Sequence, residues 1–203
     1  MATSTNNSPV NAPETGRKSG ADNSRTQETG LLQLVCFRLS QEDFGVDIHH
    51  VQEINRRVKV TKIPQSASFV EGVINLRGKI VPVIDLRRRF GLASASDQTK
   101  ESRIVVVETS EMTVGMVVDE VTEVLRLSTD SIKPTPVIAQ SEVEHQYIQG
   151  VTNFPVRKDD ASGKSERLLI VLDMDRVFSR DETKALRQIA EEHKNNATAT
   201  LPA

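Results

Sequence analysis

The sequence has few aromatic residues and no tryptophan. Phe, Tyr and Trp together make up 3% of its 203 residues, and there is a single Tyr. Single-stranded nucleic acids are held largely by stacking of bases on aromatic side chains, so this scarcity argues against a stacking platform of that kind. It also predicts a core built from aliphatic side chains.

Cysteine and long apolar runs are scarce as well. Cys36 is the single cysteine, so no intrachain disulfide can form, and a reducing compartment is expected. It lies in an apolar strand and is interpreted as a core residue. The longest apolar runs, such as Leu168–Leu172, have about five residues, whereas a membrane helix needs roughly 20. With no signal-peptide core at the N-terminus, the sequence predicts a soluble, cytoplasmic protein that does not insert into a membrane.

An excess of charge of either sign is also missing. The formal net charge is −2 and the pI is near 6.1, which argues against nucleic acid as a partner. The length allows one large domain or two small ones. Residues 1 to about 30 are polar and nearly lack large apolar side chains, so we expect them to form a disordered tail.

The most informative stretch is Gly72–Leu86. Two apolar, β-rich runs flank a short polar turn from Asn75 to Lys79, and this pattern predicts a β-hairpin. The second run is apolar at almost every position, so both faces of that strand should be buried. Arg77 lies at the turn, where a long cation is either solvated or a contact for another molecule.

The remaining elements are predicted from periodicity and turn residues. Ile48, Val51 and Ile54 recur every three residues, which suggests one or two helical turns. Ser179–Glu182 resembles a capping box that opens a helix, with fraying expected from Asn195. Residues 137–146 are ambiguous, and polar linkers are expected at 92–102 and 155–166. Further strands are predicted at 31–39, 44–48, 58–63, 103–107, 113–127, 147–154 and 168–173.

The two halves of the chain resemble each other along most of their length. The matching segments are 34–37 with 104–107, 45–54 with 115–124, 72–76 with 150–154 and 83–86 with 171–174. The spacing grows from 70 to 88 positions because the second copy carries a longer hairpin loop.

These two copies of a five-strand pattern predict two small β-barrels. The copies span about residues 31–90 and 103–178, and barrels remove the exposed sheet edges that invite aggregation. Each barrel alone would be marginal at this size, so we expect a shared core at their junction. The C-terminal helix, with its tail at 181–203, is expected to pack across that junction.

The repeat separates residues that the barrel needs from residues that it does not. Asp85 recurs as Asp173 and Asn75 recurs as Asn153, so we interpret these four as structural turn or strand-end residues. Arg77–Gly78 does not recur, because the second copy has its long loop there. The barrel itself therefore does not explain Arg77.

These motifs resemble those of the CheW family, the adaptors of bacterial chemosensory arrays. The resemblance covers about residues 31–180 and is most specific in Val51–Ile54, Gly72–Gly78 and Ile80–Leu86. It implies a mainly β fold of two intertwined five-stranded SH3-like barrels around a continuous core. It also implies a non-enzymatic scaffold that joins chemoreceptor cytoplasmic tips to the regulatory domain of the histidine kinase CheA. Such a scaffold would be recruited to arrays at the inner face of the cell membrane, where other CheW-like domains are further expected partners.

The resemblance also implies site residues. Receptor contacts carry over to Val51, Glu53, Gly72 and Arg77, with Glu53 expected on a polar helix face. Apolar side chains would supply affinity, and the two charges would fix the register of the partner. The family's kinase contacts lie on exposed apolar ends of the barrels, and no motif assigns them to residues here. No cofactor, metal or catalytic group is implied.

Other candidate residues have simpler interpretations. Arg87–Arg89 could bind nucleic acid, but beside acidic neighbours it is more simply a solvated face. The adjacent His49 and His50 cannot both point at one metal from a helix. Asp173 and Asp175 lack an accompanying nucleophile, phosphate loop or histidine. We therefore do not expect an enzyme. The alternatives are the same adaptor fold in a non-flagellar pathway and, less favoured, a nucleic-acid-binding small barrel.

Overall fold

The computed structural model describes residues 30–56, 58–92, 100–134, 145–155 and 166–199. Four sequence predictions lie wholly or mainly outside the described residues. They concern the tail at 1–30, the linker at 92–102, the ambiguous stretch at 137–146 and the loop at 155–166. Within the described part, no helix is long and apolar enough to cross a membrane.

The described residues form ten β-strands, two α-helices and three 3₁₀ turns. The strands are β1 (Leu31–Leu39), β2 (Glu42–Asp47), β3 (Val51–Arg56), β4 (Val70–Leu76), β5 (Lys79–Asp85), β6 (Arg103–Glu108), β7 (Thr113–Val118), β8 (Glu120–Ser128), β9 (Ile148–Pro155) and β10 (Glu166–Leu172). The helices are α1 (Leu86–Phe90) and α2 (Arg180–Ala199), and the 3₁₀ turns are Ile48–His50, Thr129–Ser131 and His145–Tyr147.

The strands build two five-stranded sheets, in the orders β8-β1-β2-β10-β9 and β3-β6-β7-β5-β4. Most neighbours are antiparallel, but β2 with β10 and β5 with β7 are parallel. Strands β1 and β2 join strands of the second sequence copy, while β6 and β7 join strands of the first. The predicted mainly β fold of two intertwined five-stranded units is confirmed, and its sheets do not coincide with the sequence repeats.

One backbone bridge links the two edges of each sheet, so that each sheet nearly closes into a barrel. The chain after β3 reaches across to β4, where Thr61 and Val73 exchange two hydrogen bonds of 2.9 Å. The chain after β8 reaches β9 in the same way, and Lys133 and Val151 exchange two bonds of 2.8 Å. The strand predicted at 58–63 is reduced to the first of these bridges. The edges of each sheet are thus joined at a point rather than by a full ladder.

A glycine lies beneath each bridge. A Cβ atom on Gly72 would overlap the carbonyl oxygen of Thr61, and one on Gly150 would lie 2.7 Å from that of Lys133. Gly72 also has a φ of 144°, which side chains rarely tolerate. The fold therefore needs both glycines for the close approach of the bridging chain.

Three apolar clusters hold the sheets. The largest lies between the two sheets and draws residues from both, so both faces of strands such as β5 are covered. Its centre is a row of stacked aromatic rings formed by Phe37, Phe44, Phe90 and Tyr147. The prediction of an aliphatic core holds better for the clusters on the other side of each sheet. These comprise Ile74, Val81, Val83, Ile104, Val106 and Val117 in one sheet, and Leu34, Cys36, Phe154, Leu169 and Val171 in the other.

The helical turns predicted from Ile48, Val51 and Ile54 are wrong beyond the first turn. Asp47 caps a single 3₁₀ turn by accepting a hydrogen bond from the His49 backbone N–H, at 2.9 Å. From Val51 onward the chain is strand β3, which pairs with β6. A three-residue spacing is compatible with a continued helix and also with one 3₁₀ turn followed by a strand. The pairing of β3 with β6 shows that the chain forms the strand.

The capping box is confirmed at the start of α2. The Ser179 backbone N–H donates to Glu182 Oε2 at 2.8 Å, and the Glu182 N–H donates to Ser179 Oγ at 3.3 Å. The helix continues to Ala199, past the fraying predicted from Asn195. Leu186 is buried in the intersheet cluster, and the helix packs mainly against β5. It therefore covers the sheet β3-β6-β7-β5-β4 rather than both sheets equally.

Candidate partner-binding site

The turn between β4 and β5 is a two-residue connection, tighter than the polar stretch from Asn75 to Lys79 suggested. Its central residues, Arg77 and Gly78, have φ values of 52° and 88°. Positive φ at both positions is the pattern of a type I′ turn, whose twist matches that of the flanking strands. Asn75 Oδ1 supports the turn by accepting a hydrogen bond from the Gly78 N–H at 2.8 Å. The strands themselves match the predicted hairpin.

Arg77 occupies a backbone position that favours Gly, Asn or Asp. A left-handed conformation costs a residue of this type roughly 1–2 kcal/mol. Its side chain is 85% exposed, so burial of apolar surface does not offset that cost. The turn therefore gives no structural reason for an arginine, which leaves the contacts of its side chain as the reason.

The contact that Arg77 makes is an ion pair with Glu53. Arg77 Nη2 donates to Glu53 Oε2 at 3.1 Å, and Asn55 Nδ2 donates to the other carboxylate oxygen at 2.9 Å. The Glu53 side chain is 21% exposed. An exposed pair of this kind contributes at most about 1 kcal/mol to stability, because water and salt screen it. The Arg77 guanidinium is thus presented at the surface beside a half-buried carboxylate, and the pair has little role in holding the fold.

A shallow cleft of about 190 Å³ surrounds this pair. Its lining adds three residues that the sequence did not single out, namely Gln52, Leu76 and Lys79. Gln52 is itself held by a 2.6 Å hydrogen bond from its Nε2 to Glu108 Oε2. The sheet curls so that its edge strands β3 and β4 approach each other at the Thr61–Val73 bridge, and this near-closure places these residues together. The periodicity of the sequence alone gave no such signal.

The structure places the four predicted receptor residues in two different settings. Glu53 and Arg77 meet in the ion pair, with Glu53 on strand β3 rather than on the predicted helix face. Val51 begins β3 and packs partly against the intersheet cluster. Gly72 is buried beneath the bridge at Thr61. A partner that reaches the first two residues meets charged side chains, whereas the fold already uses the other two.

The arginine cluster was predicted to be a solvated face, and this is wrong for Arg87. Arg87 is only 6% exposed. Its guanidinium makes two hydrogen bonds to Asp85, at 3.0 and 3.2 Å, and a third to Asp119 at 2.8 Å. The hydrogen bonds and charge of Asp85 raise the pKa of Arg87 further. Asp119 lies between β7 and β8, where it interrupts the strand predicted at 113–127, so this network links the two halves of the chain.

The solvated-face prediction also fails for Arg89. Its guanidinium lies over the rings of Tyr147 and Phe69, at 4.6 and 5.3 Å from their centroids. It also donates to the Tyr147 hydroxyl at 2.7 Å and to Glu182 Oε2 at 3.1 Å. The remaining member, Arg88, is partly exposed and is paired with Glu71 at 2.6 Å. The nucleic-acid alternative therefore loses the cluster on which it rested, because these cations are already bound within the protein.

The candidate acid and metal residues also have local roles. Asp173 is paired with Arg176 at 3.1 Å. Asp175 accepts a 2.8 Å hydrogen bond from the Ser110 N–H, which lowers its pKa. The neighbouring histidines diverge, since His49 meets Asp47 while His50 Nδ1 lies 2.9 Å from the Glu108 carbonyl oxygen. No group of three potential ligands that could hold a metal ion occurs among the residues with described positions.

Cys36 is fully buried, as expected for a core residue. Burial away from water disfavours the thiolate and raises the pKa of this thiol to about 12. The side chain therefore behaves as a small apolar group at neutral pH.

Two interleaved sheets with a charged turn at their surface define a protein-interaction scaffold. Comparison with known proteins gives the family. Residues 33–182 match the CheW-like domain model, so the chain belongs to the CheW family of chemotaxis adaptors.

Individual members of the family are similar to this chain over most of their length. The chain is 34% identical to the chemotaxis protein CheW of Klebsiella aerogenes, across 82% of this chain and 93% of that protein. It is 33% identical to the CheW of Rhizobium meliloti, across 77% and 93%. Among solved structures, the scaffolding protein TtCheW from Thermoanaerobacter tengcongensis superimposes with a TM-score of 0.63 at 32% identity, covering 77% of this chain and 94% of that one.

Proposed function

We propose that this chemotaxis adaptor couples the cytoplasmic tips of chemoreceptors to the regulatory domain of the histidine kinase CheA. The observation that carries the proposal is the exposed Glu53–Arg77 pair at the tight β4–β5 turn. It is held on rigid strands and contributes little to stability. The corresponding turn is replaced by a long loop in the second copy of the repeat. A site present in one copy and not required by the barrel is suited to recognition.

The receptor site comprises Val51, Glu53, Gly72 and Arg77. Glu53 and Arg77 give a partner one acceptor and one donor at fixed separation, which sets the register of a helical hairpin tip. Gly72 contributes indirectly, by letting the chain at Thr61 close the barrel beneath the turn. Val51 anchors the start of β3 against the intersheet cluster and so fixes the position of Glu53.

The adaptor works by binding energy alone, without catalysis, cofactor or metal. It acts in the cytoplasm and is recruited to receptor arrays at the inner face of the cell membrane. Contacts with other CheW-like domains in array rings would add further weak interactions. Each contact that forms raises the effective concentration of the neighbouring binding sites, which makes assembly cooperative. The alternative is the same adaptor fold serving in a non-flagellar chemosensory pathway.

A co-sedimentation assay tests the proposal. The full chain is mixed with a CheA protein and with a soluble cytoplasmic receptor fragment displayed on vesicles, both from the same organism. We expect all three to sediment together and the kinase to remain in solution when the adaptor is left out. Failure to form the ternary complex would contradict the proposal. Salt-dependent binding to an oligonucleotide in a parallel measurement would favour the nucleic-acid alternative instead.

A further inference from the structure

Asn55 is the second residue that holds the carboxylate of Glu53. Its Nδ2 donates to Glu53 Oε1 at 2.9 Å, while Arg77 Nη2 donates to the other oxygen, Oε2, at 3.1 Å. An amide that faces a carboxylate must present its nitrogen, because two acceptor oxygens repel each other. Glu53 is therefore held from two sides, by a residue of its own strand and by a residue of the β4–β5 turn.

The two donors differ in how firmly they are held. Asn55 lies two positions after Glu53 in β3, so both side chains are on the same face of that strand. Its backbone pairs with that of Ile104 in β6. Arg77 instead extends from a turn, and its side chain is 85% exposed. Because a short side chain on a paired strand has less freedom to lose than an exposed arginine, Asn55 is the donor that fixes the orientation of Glu53.

Asn55 occupies a position where the sheet favours an apolar side chain. Its cross-strand partner, Ile104, belongs to the apolar cluster on that side of the sheet. Glu53 lies opposite Val106, another member of the same cluster. An amide beside apolar side chains contributes less to burial than an aliphatic residue would. Packing therefore gives no reason for an asparagine here, which leaves its hydrogen bond to Glu53 as the reason.

The second copy of the repeat shows which residue the barrel itself accepts at this position. With the spacing of 70 positions, Asn55 corresponds to Leu125. Glu53 corresponds to Glu123 at the same spacing. Leu125 packs against the apolar cluster of its own sheet. The carboxylate is thus kept in both copies, whereas its two donors, Asn55 and Arg77, belong to the first copy alone.

A second donor to Glu53 matters when a partner contacts Arg77. The Glu53 side chain is 21% exposed, and a half-buried carboxylate that loses its hydrogen bonds is destabilised. When Arg77 turns toward a partner, Asn55 still donates to Glu53. The carboxylate then keeps both a donor and its orientation, and a site that is ordered beforehand loses little entropy on binding.

From these observations we propose that Asn55 is a positioning residue of the receptor-binding site. It holds the Glu53 carboxylate in the orientation that the receptor recognises, and it keeps that carboxylate paired while Arg77 contacts the receptor. The inference rests on the proposed receptor-coupling function and adds to that site a residue that acts through Glu53.

Asn55→Leu tests the inference with the residue that the second copy carries. The dissociation constant of the soluble cytoplasmic receptor fragment is measured with the full chain and with this variant. We expect binding to weaken by about fivefold, because the variant lacks the donor that orients Glu53. The thermal midpoint should stay within about 2 °C of the wild type or rise, since leucine adds apolar surface beside the cluster.

Two further variants separate the hydrogen bond from other effects. Asn55→Gln keeps an amide donor, and its receptor affinity should stay within about twofold of the wild type. In a chain that carries Glu53→Ala there is no carboxylate to orient. Adding Asn55→Leu to that chain should therefore change its receptor affinity by less than about twofold. A residue with a purely structural role would weaken binding equally in both backgrounds.

The outcomes separate the inference from the function on which it rests. Wild-type affinity in Asn55→Leu, together with weakened binding in Arg77→Glu, overturns the role of Asn55 and leaves receptor coupling in place. Equal weakening by Asn55→Leu and Asn55→Gln, or equal weakening with and without Glu53→Ala, overturns positioning through the hydrogen bond. A lower thermal midpoint in Asn55→Leu overturns it too, because the asparagine would then serve the fold. No binding by the wild-type chain contradicts receptor coupling itself, and the inference with it.

Discussion

In the first copy of the repeat, Asp85 at the end of β5 is buried against Arg87. In the second copy, its mate Asp173 at the end of β10 pairs with an exposed arginine, Arg176. The side chain of Asp85 is 2% exposed and that of Asp173 is 29% exposed. The same position in the sequence pattern therefore has two physical roles. One carboxylate fixes Arg87, which links the two halves of the chain through Asp119, and the other stabilises a surface turn.

The two copies also differ in how well other parts of their strands are covered. Helix α2 lies along β5 beside Ile80, whereas Leu168, at the equivalent position of β10, is 54% exposed. The tight turn with Arg77 also belongs to the first copy alone. The difference is consistent with our proposal that the duplicated barrel supplies the frame, while additions to one copy supply the recognition surface.

The largest effect should come from breaking the buried pair. Asp85→Ala leaves Arg87 buried with only Asp119 as a carboxylate partner, and loss of one member of a buried pair costs about 3–5 kcal/mol. Asp173→Ala removes a largely exposed pair and should cost at most about 1 kcal/mol. Urea unfolding of both variants measures the two losses. Equal losses would mean that the two copies do not differ as described.

The two bridge glycines should differ less. Gly72→Ala adds both backbone strain at positive φ and overlap with Thr61, together about 2–4 kcal/mol. Gly150→Ala adds overlap alone and should cost about 1–3 kcal/mol. Thermal unfolding compares them, with hydrogen exchange at Val73 and Val151 as the local readout. A loss in Gly150→Ala as large as that in Gly72→Ala would contradict an added cost of the positive φ at Gly72.

The smallest expected effect concerns Asp175, which occupies the position of Arg87 in the second copy. Its pKa in the folded protein is lowered from 3.8, chiefly by the hydrogen bond from the Ser110 N–H. The stability it contributes is therefore present above pH 3.8 and is lost as the pH falls through the folded pKa. Asp175→Asn should lower the free energy of unfolding slightly at neutral pH and have no effect in strong acid. A loss that persists in strong acid would show that charge is not the cause.

Much of the fold was predictable because its signals are local. The two apolar runs that flank the polar turn in Gly72–Leu86 predict the hairpin, and Ser179–Glu182 predicts the start of α2. The internal repeat indicates two similar units. The exchange of β1 and β2 with the strands of the other half was implied by family resemblance alone. It depends on pairings between residues far apart in sequence, such as Gly45 with Val171, which local patterns do not specify.

The site was predictable only in part, for a similar reason. Arg77 was recognisable as an addition that the repeat does not explain. Its pairing with Glu53 requires β3 to lie beside the β4–β5 turn, and the three-residue spacing before Glu53 suggested a helix instead. The burial of Arg87 was equally hidden, because one of its partners, Asp119, lies in the other half of the chain.

The central claim is that Arg77 serves recognition rather than folding, and reversal of its charge tests this most directly. Arg77→Glu places two carboxylates at the turn, and titration with a soluble receptor fragment should show affinity weakened by about tenfold or more. The free energy of unfolding should change by no more than about 1 kcal/mol, because the lost pair is exposed. An unfolded variant, or a folded one with unchanged receptor affinity, would contradict the account.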